Sequence, residues 1–100
     1  MALFEITSPI AEKIKRRRLQ LLVHSYIYYE LDTNIISDET WDKWAKELVY
    51  LQQHYPNESR QVRYYELFKT FDGNTGFDLA KNADIDIISK AYYLLGRKIS

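Results

Sequence analysis

Two carboxylates beside a tryptophan are the first residues of this sequence that could do chemistry. Asp38, Trp41 and Asp42 are three and four residues apart, so on a helix their side chains can share one face. Two acids one turn apart can bind Mg²⁺ or act in acid–base catalysis, although near a helix start they more often serve only to favour its dipole. No nucleophile and no third metal ligand accompanies them. The sequence therefore predicts neither a catalytic residue nor a metal site here.

The other candidates for chemistry are isolated. His24 and His54 fall on different predicted helices, so they do not form a set of metal ligands. The run Lys-Thr-Phe-Asp-Gly at 69–73 resembles the Lys-x-Asp-Gly motif that nucleotidyltransferases adenylate, but it is one residue too long. Lys69 is therefore not expected to be a nucleophile. The loop 72–76 could present backbone N–H groups to an anion, and a purely structural turn is the alternative.

Basic residues are concentrated near the N-terminus. A run of five is spread around the predicted first helix and does not form one stripe, so a solvated face is the default interpretation. Phosphate binding by Arg17, Arg18 or Arg63 is the alternative, because the guanidinium fork suits phosphate oxygens. The chain has 14 basic and 14 acidic residues, so sequence-specific binding of nucleic acid is not expected. The run comprises Lys13, Lys15, Arg16, Arg17 and Arg18.

The composition indicates one small globular domain over residues 1–100. Apolar residues make up 46% of the chain and charged residues 28%, and three glycines with two prolines are too few for the turns of an all-β protein. The absence of cysteine excludes disulfides and thiolate metal ligands. No 18 apolar residues run together, and the N-terminus lacks the apolar core of a signal peptide. We therefore expect a cytoplasmic protein with no membrane partner.

Two helices must position the acids and the tryptophan. Ser8 and Pro9 predict the start of a first helix over 9–31, and either residue of the Ser-Asp pair at 37–38 can cap a second helix over 38–55. The six-residue connection predicts that the two helices are antiparallel neighbours. Helical spacing of apolar and aromatic residues predicts the core of this hairpin. That core comprises Leu22, Tyr26, Trp44, Leu48 and Leu51.

The second half of the chain has weaker patterns. Apolar spacing favours a helix over 60–71 after a break at Pro56, with a strand as the alternative at the start of that range. Asp-Gly and Thr-Gly pairs predict a loop over 71–77 that uses positive φ. A last helix is capped by Asn82 or Asp84.

These elements predict an all-α fold with four helices. An antiparallel helical hairpin occupies residues 9–57, and one or two further helices lie in a C-terminal extension over 58–100. The acids and the tryptophan fall in the first turns of the second helix, beside the connection that follows the first helix. Residues at the end of the first helix can therefore approach them.

The order of residues along the hairpin resembles a known family. From about residue 14 to residue 57 the chain carries, without a gap, Tyr-Tyr, Leu-Asp, Ile-Ser-Asp-x-x-Trp-Asp, Glu-Leu and Tyr-Pro. The N-terminal Ia domain of bacterial NAD⁺-dependent DNA ligases has Tyr-Tyr or Tyr-His, Leu-Asp, Ile-Ser/Pro-Asp-x-x-Tyr-Asp, Glu-Leu and His-Pro in the same order. The resemblance implies a hairpin that closes over NAD⁺ and holds its nicotinamide mononucleotide half.

The resemblance also implies which residues would contact a ligand. By position, Tyr28 and Trp41 correspond to the pair that contacts the nicotinamide ring, with Trp41 in place of the family's tyrosine. Tyr29 stands where the family has histidine or tyrosine, and Asp38 and Asp42 stand where it has its two binding acids. Aromatic faces and nearby carboxylates suit the flat, positively charged ring of oxidised nicotinamide.

The function implied by the resemblance is binding without chemistry. These 100 residues contain no adenylation, OB, zinc-finger, helix-hairpin-helix or BRCT segment, so we expect neither DNA ligation nor another enzymatic activity. Short proteins similar to the Ia domain occur in phages and prophages. This suggests a phage protein that binds a nicotinamide mononucleotide- or ADP-ribose-like nucleotide and sequesters an NAD-derived immune signal of the bacterial host. The alternative is an interaction module that docks on a host ligase, nuclease or other replication or defence protein.

Overall fold

A computed structural model describes residues 8–96, and every regular element in that range is a helix. This confirms the all-α class. The two long helices of the predicted hairpin are present, and four short helices follow them. The elements are α1 (Pro9–Glu30), α2 (Asp38–His54), α3 (Pro56–Gln61), α4 (Tyr65–Phe68), α5 (Phe77–Lys81) and α6 (Ile85–Leu94).

The hairpin forms where the sequence predicts it, and its two helices are capped by serines. The Ser8 hydroxyl accepts a hydrogen bond from the Ala11 N–H at 3.0 Å, and the Ser37 hydroxyl accepts one from the Thr40 N–H at 3.1 Å. Arg17, in the first half of α1, forms an ion pair with Glu47 in the second half of α2. Ser25, in the second half of α1, accepts a hydrogen bond from Trp41 near the start of α2. The predicted antiparallel arrangement is therefore confirmed.

The core is built around α1, which packs against α2, α3, α5 and α6. Leu22, Leu48 and Leu51 of the predicted hairpin core are buried, and the other two, Tyr26 and Trp44, are partly buried against them. Side chains from the second half complete this core, so the hairpin and the C-terminal helices share one apolar interior. The residues of this half in the central core cluster are Phe68, Leu79, Ile87 and Ala91.

The prediction of one continuous helix over 60–71 is wrong. Val62 is extended, with φ −95° and ψ 144°, and Tyr64 lies in the left-handed region with φ 73°, so the chain forms two short helices on either side of this break. Pro56 begins α3, where its fixed φ is favourable, although it was expected only to end the preceding helix. Four short helices therefore follow the hairpin, and the prediction of one or two is corrected.

Arg18 explains the break. Its guanidinium is completely buried, and its five N–H groups make six hydrogen bonds, so at least one N–H is shared between two acceptors. Two of the bonds go to Gln52 Oε1, one to Ser59 Oγ and three to the carbonyl oxygens of Ser59, Val62 and Arg63. The carbonyls of Val62 and Arg63 are bonded to this side chain and not to N–H groups one turn ahead. Burial lowers the pKa of Arg18 to about 10, so the group stays charged at neutral pH. The solvated face expected for the basic run does not extend to this residue.

Candidate functional site

A cleft of about 410 Å³ lies between the end of α1, the start of α2 and the loop that precedes α5. Its size falls within the range of roughly 300–1,000 Å³ found for small-molecule sites. The structure brings all five sequence-predicted ligand contacts to this cleft. They are Tyr28, Tyr29, Asp38, Trp41 and Asp42.

Aromatic rings form one side of the cleft. Tyr28 and Tyr29 are 50% and 41% exposed, and their rings meet edge to face with centroids 4.8 Å apart. Trp41 is partly buried against the core, and its Nε1 donates a hydrogen bond of 3.2 Å to the Ser25 hydroxyl on α1. Its ring also lies edge-on to Phe71, at 6.3 Å between centroids. Trp41 is therefore fixed in orientation, while the two tyrosines keep free surface for a flat ligand.

Three carboxylates of α2 line the same cleft. Asp38 and Glu39 lie in the first turn of the helix, and Asp42 follows one turn later. Asp42 accepts a 2.7 Å hydrogen bond from Lys46, and its side chain remains 51% exposed. Within the described residues, no lysine or arginine lines the cleft. Its local charge is therefore negative, which favours a cationic ligand group and opposes an anionic one.

The three arginines predicted to bind phosphate are not brought to this cleft. Arg17 pairs with Glu47 of α2 at 2.8 Å, and Arg63 pairs with Asp86 at 2.8 Å near the start of α6. Arg18 is committed to its six internal hydrogen bonds. Each guanidinium already has protein partners, and none lies at the cleft wall.

The third side of the cleft comes from a loop that the sequence predicted only as a turn. Asn74, Thr75 and Gly76 line the cleft together with the hairpin residues. Gly73 adopts the expected positive φ of 84°, but Gly76 does not, since its φ is −101°. The prediction of positive φ at the Thr-Gly pair is therefore wrong. The reason for a glycine is space, because a Cβ there would lie 2.1 Å from Ser25 Oγ.

The side chains of this loop favour the structural-turn interpretation over the anion-binding one. The Asp72 carboxylate accepts hydrogen bonds of 3.0 Å from both the backbone N–H and the side-chain amide of Asn74. The N–H of Phe77 donates to Thr75 Oγ1 at 3.2 Å. These two N–H groups are therefore used within the loop. Across residues 8–96, no three His, Asp or Glu side chains come together as a metal site.

His24 also lines the cleft, and its environment makes the protein sensitive to acid. Its Nδ1 is buried with no hydrogen-bond partner among the described residues, and its ring lies 5.7 Å from that of Trp44. Burial lowers its pKa from the ordinary value of 6.5. The unfolded chain therefore binds a proton at His24 more tightly than the folded protein does. The resulting stability is present above pH 6.5 and is lost as the pH falls below it.

We expect the melting temperature to fall between pH 7 and pH 5, and the His24→Gln variant to flatten that slope. Glutamine keeps a polar side chain of similar reach but does not titrate. His54→Gln, which changes the exposed histidine of α2, is the matched control and should keep the wild-type slope. Melting followed by circular dichroism across this pH range measures the effect. Equal slopes for wild type and His24→Gln would contradict the assignment.

Fold and cleft together define a class of protein: a small all-α domain whose helical hairpin carries an aromatic, acid-lined cleft for a small ligand. The family follows from the sequence. Residues 7–62 match the family described as DNA ligase-like, N-terminal NAD⁺-binding domain. The match covers more than half of the chain, so the chain belongs to this family, and the predicted resemblance is confirmed.

Similar curated proteins are DNA ligases. The DNA ligase of Petrotoga mobilis is 40% identical over 52 residues, which are 52% of this chain and 8% of the ligase. The DNA ligase of Thermosipho africanus is 42% identical over 45 residues, or 45% of this chain and 7% of the ligase. The chain thus corresponds to less than a tenth of these relatives. No solved structure matches it, and none of the helices in residues 8–96 is long and apolar enough to cross a membrane.

Proposed function

We propose that the cleft binds the nicotinamide–ribose part of a nicotinamide nucleotide and performs no chemistry on it. The observation that supports this most is the convergence of Tyr28, Trp41 and Asp42 on one cleft within a chain of the NAD⁺-binding family. Aromatic faces attract a flat cationic ring, and carboxylates next to that ring favour its charge.

The negative lining supports a nicotinamide ligand over an ADP-ribose-type ligand, which the sequence left open. Oxidised nicotinamide carries a positive charge on its ring, whereas ADP-ribose has two phosphates and no such cation. Asp38, Glu39 and Asp42 line the cleft, and Lys46, which pairs with Asp42, is not part of the lining. A ligand whose cationic ring enters the cleft and whose phosphate remains at its mouth fits this charge pattern.

The absence of chemistry is also part of the proposal. The match covers an NAD⁺-binding domain only, and Lys69, the lysine next to the Asp-Gly pair, is exposed and paired with Glu66 at 2.6 Å. We infer that the bound nucleotide remains intact. A phage-encoded binder that sequesters an NAD-derived host signal uses such a site without catalysis. Docking on a host protein remains the alternative and predicts no nucleotide affinity.

Calorimetry with a matched ligand set tests the proposal. Oxidised nicotinamide mononucleotide should bind at least about tenfold more tightly than its reduced form, because only the oxidised ring is cationic, and tenfold is about 1.4 kcal/mol. ADP-ribose should bind more weakly than either NAD⁺ or nicotinamide mononucleotide. Chromatography of the recovered ligand should show no released nicotinamide. Equal affinity for both redox forms contradicts the proposed site, and released nicotinamide contradicts the absence of chemistry.

We expect the Asp42→Asn substitution to weaken the binding of oxidised nicotinamide mononucleotide by about tenfold, the scale of a lost charge-assisted interaction. Shape is preserved, so the melting temperature should change little. Glu66→Gln is the matched control, because Glu66 also pairs with a lysine within one helical turn and lies outside the cleft. It should leave the affinity unchanged. Full affinity in Asp42→Asn, measured by calorimetry, would place the ligand elsewhere.

A further inference from the structure

The loop Asp72–Phe77 supplies one side of the cleft, although it lies outside the family-matched residues 7–62. We propose that this loop is a specificity wall, in which Asn74 and Thr75 bind the carboxamide of the nicotinamide ring. This inference rests on the proposed function. It goes beyond the family match, because it assigns ligand recognition to residues that the match does not cover.

The wall is held in a fixed position against the hairpin. Thr75 Oγ1 lies 3.3 Å from the Tyr29 hydroxyl, within hydrogen-bond distance. Gly76 lies so close to α1 and α2 that an added Cβ would be 2.8 Å from Ser25 Cβ and 3.0 Å from Trp41 Cζ2. The helix that follows is anchored by Leu79 and Ala80, which are buried, and packs on α1. These contacts therefore hold the wall against the hairpin, although Asn74 and Thr75 themselves are exposed.

The position of the wall relative to the aromatic side chains places it at the edge of a bound ring. Within the wall, Thr75 lies within hydrogen-bond distance of the Tyr29 hydroxyl. Gly76 lies beside the six-membered ring of Trp41. A ring that packs against Tyr28 and Trp41 has its faces toward these aromatic side chains. Its edge then faces the rest of the lining, and in the proposed orientation the carboxamide lies on the part of the edge nearest Asn74 and Thr75.

The polar side chains of the wall are uncharged, whereas those that α2 contributes to the cleft include three carboxylates. Asn74 has its amide oxygen and a second amide hydrogen beyond the one bonded to Asp72, and Thr75 has a hydroxyl that already bonds within the loop and to Tyr29. These uncharged groups can both donate and accept hydrogen bonds. A carboxamide likewise donates and accepts, so it can pair with such groups. The carboxylate of nicotinic acid can only accept, and it adds a negative charge to a cleft already lined by three acids. The site should therefore select the amide over the acid.

The test compares nicotinamide mononucleotide with nicotinic acid mononucleotide, which differ only at this group. The full chain should bind the amide at least about tenfold more tightly, the scale of a lost hydrogen bond with unpaired polar groups. Asn74→Ala and Thr75→Val should each lower the affinity for the amide several-fold and reduce the ratio of the two affinities. Thr70→Val, an exposed threonine outside the cleft, is the control for Thr75→Val and should change neither.

The ratio of the affinities for the amide and the acid shows whether Asn74 and Thr75 contact the ligand or only support the fold. If the loop only supports the fold, Asn74→Ala and Thr75→Val weaken both ligands equally, and that result overturns the proposal. Wild-type affinity and an unchanged ratio in both variants also overturn it while leaving the proposed function intact. If the wild-type chain binds neither mononucleotide, the proposed function itself fails.

Discussion

Replacement of Arg18 by methionine is expected to lower the free energy of unfolding by about 3 kcal/mol or more, because each buried acceptor left without its donor costs roughly 1–3 kcal/mol. The apolar side chain fills similar space but donates no hydrogen bonds. The carbonyls of Val62 and Arg63, bonded at 2.9 and 3.1 Å, and the amide oxygen of Gln52 would then be buried without their donor. Denaturant unfolding followed by circular dichroism measures the loss.

Arg16→Met is the matched control for this prediction. Arg16 is exposed on the same helix, so its replacement should change the stability by less than about 0.5 kcal/mol, as is usual for a surface position. Arg18→Lys should fall between the two, because lysine keeps a charge but cannot reproduce the guanidinium fork. Equal stability of Arg18→Met and Arg16→Met would show that the network does not hold the C-terminal helices in place.

The Gly76→Ala variant should lose both stability and ligand affinity. Its φ of −101° is allowed for alanine, so the effect isolates the steric conflict of the new methyl group with Ser25 and Trp41. Overpacking of this kind costs about 1–3 kcal/mol. The melting temperature should then fall by roughly 4–8 °C per kcal/mol in a domain of this size. Displacement of Trp41 should lower the affinity for nicotinamide mononucleotide as well.

Two comparisons control the Gly76→Ala prediction. Ser25→Ala removes the nearest atom, so in a double-mutant cycle the pair should be less destabilised than the sum of the single variants. Gly96→Ala tests backbone strain alone, since its φ is 70° and no atom lies within 4 Å of the new Cβ. It should cost stability but leave the affinity unchanged. Additive effects at Gly76 and Ser25 would mean that the loop moves away without resistance.

The hairpin was predictable because its signals are local. Ser8 and Ser37 cap the helices whose apolar stripes follow them, and the connection is too short for any arrangement except adjacent antiparallel helices. The five predicted ligand contacts are all on this hairpin or its ends. Their convergence on one cleft could therefore be predicted from the spacing and the family motif together.

The region after the hairpin was not predictable in the same way. The spacing of Val62, Phe68 and Phe71 favours a helix, yet Arg18, more than forty residues earlier, binds the carbonyls at the point where the helix would continue. A run of basic residues gives no sign that one member is buried. The wall of the cleft was missed for a related reason, because Gly76 is required by its distance from Ser25 and not by its own backbone angles.

The contacts that form the two sides of the cleft differ in the number of residues between their partners along the chain. The hydrogen bond between Trp41 and Ser25 joins residues 16 apart, whereas the contact between Thr75 and Tyr29 joins residues 46 apart. Contacts of short sequence separation generally form sooner during folding. We therefore expect the aromatic and acidic side of the cleft to form before the wall does.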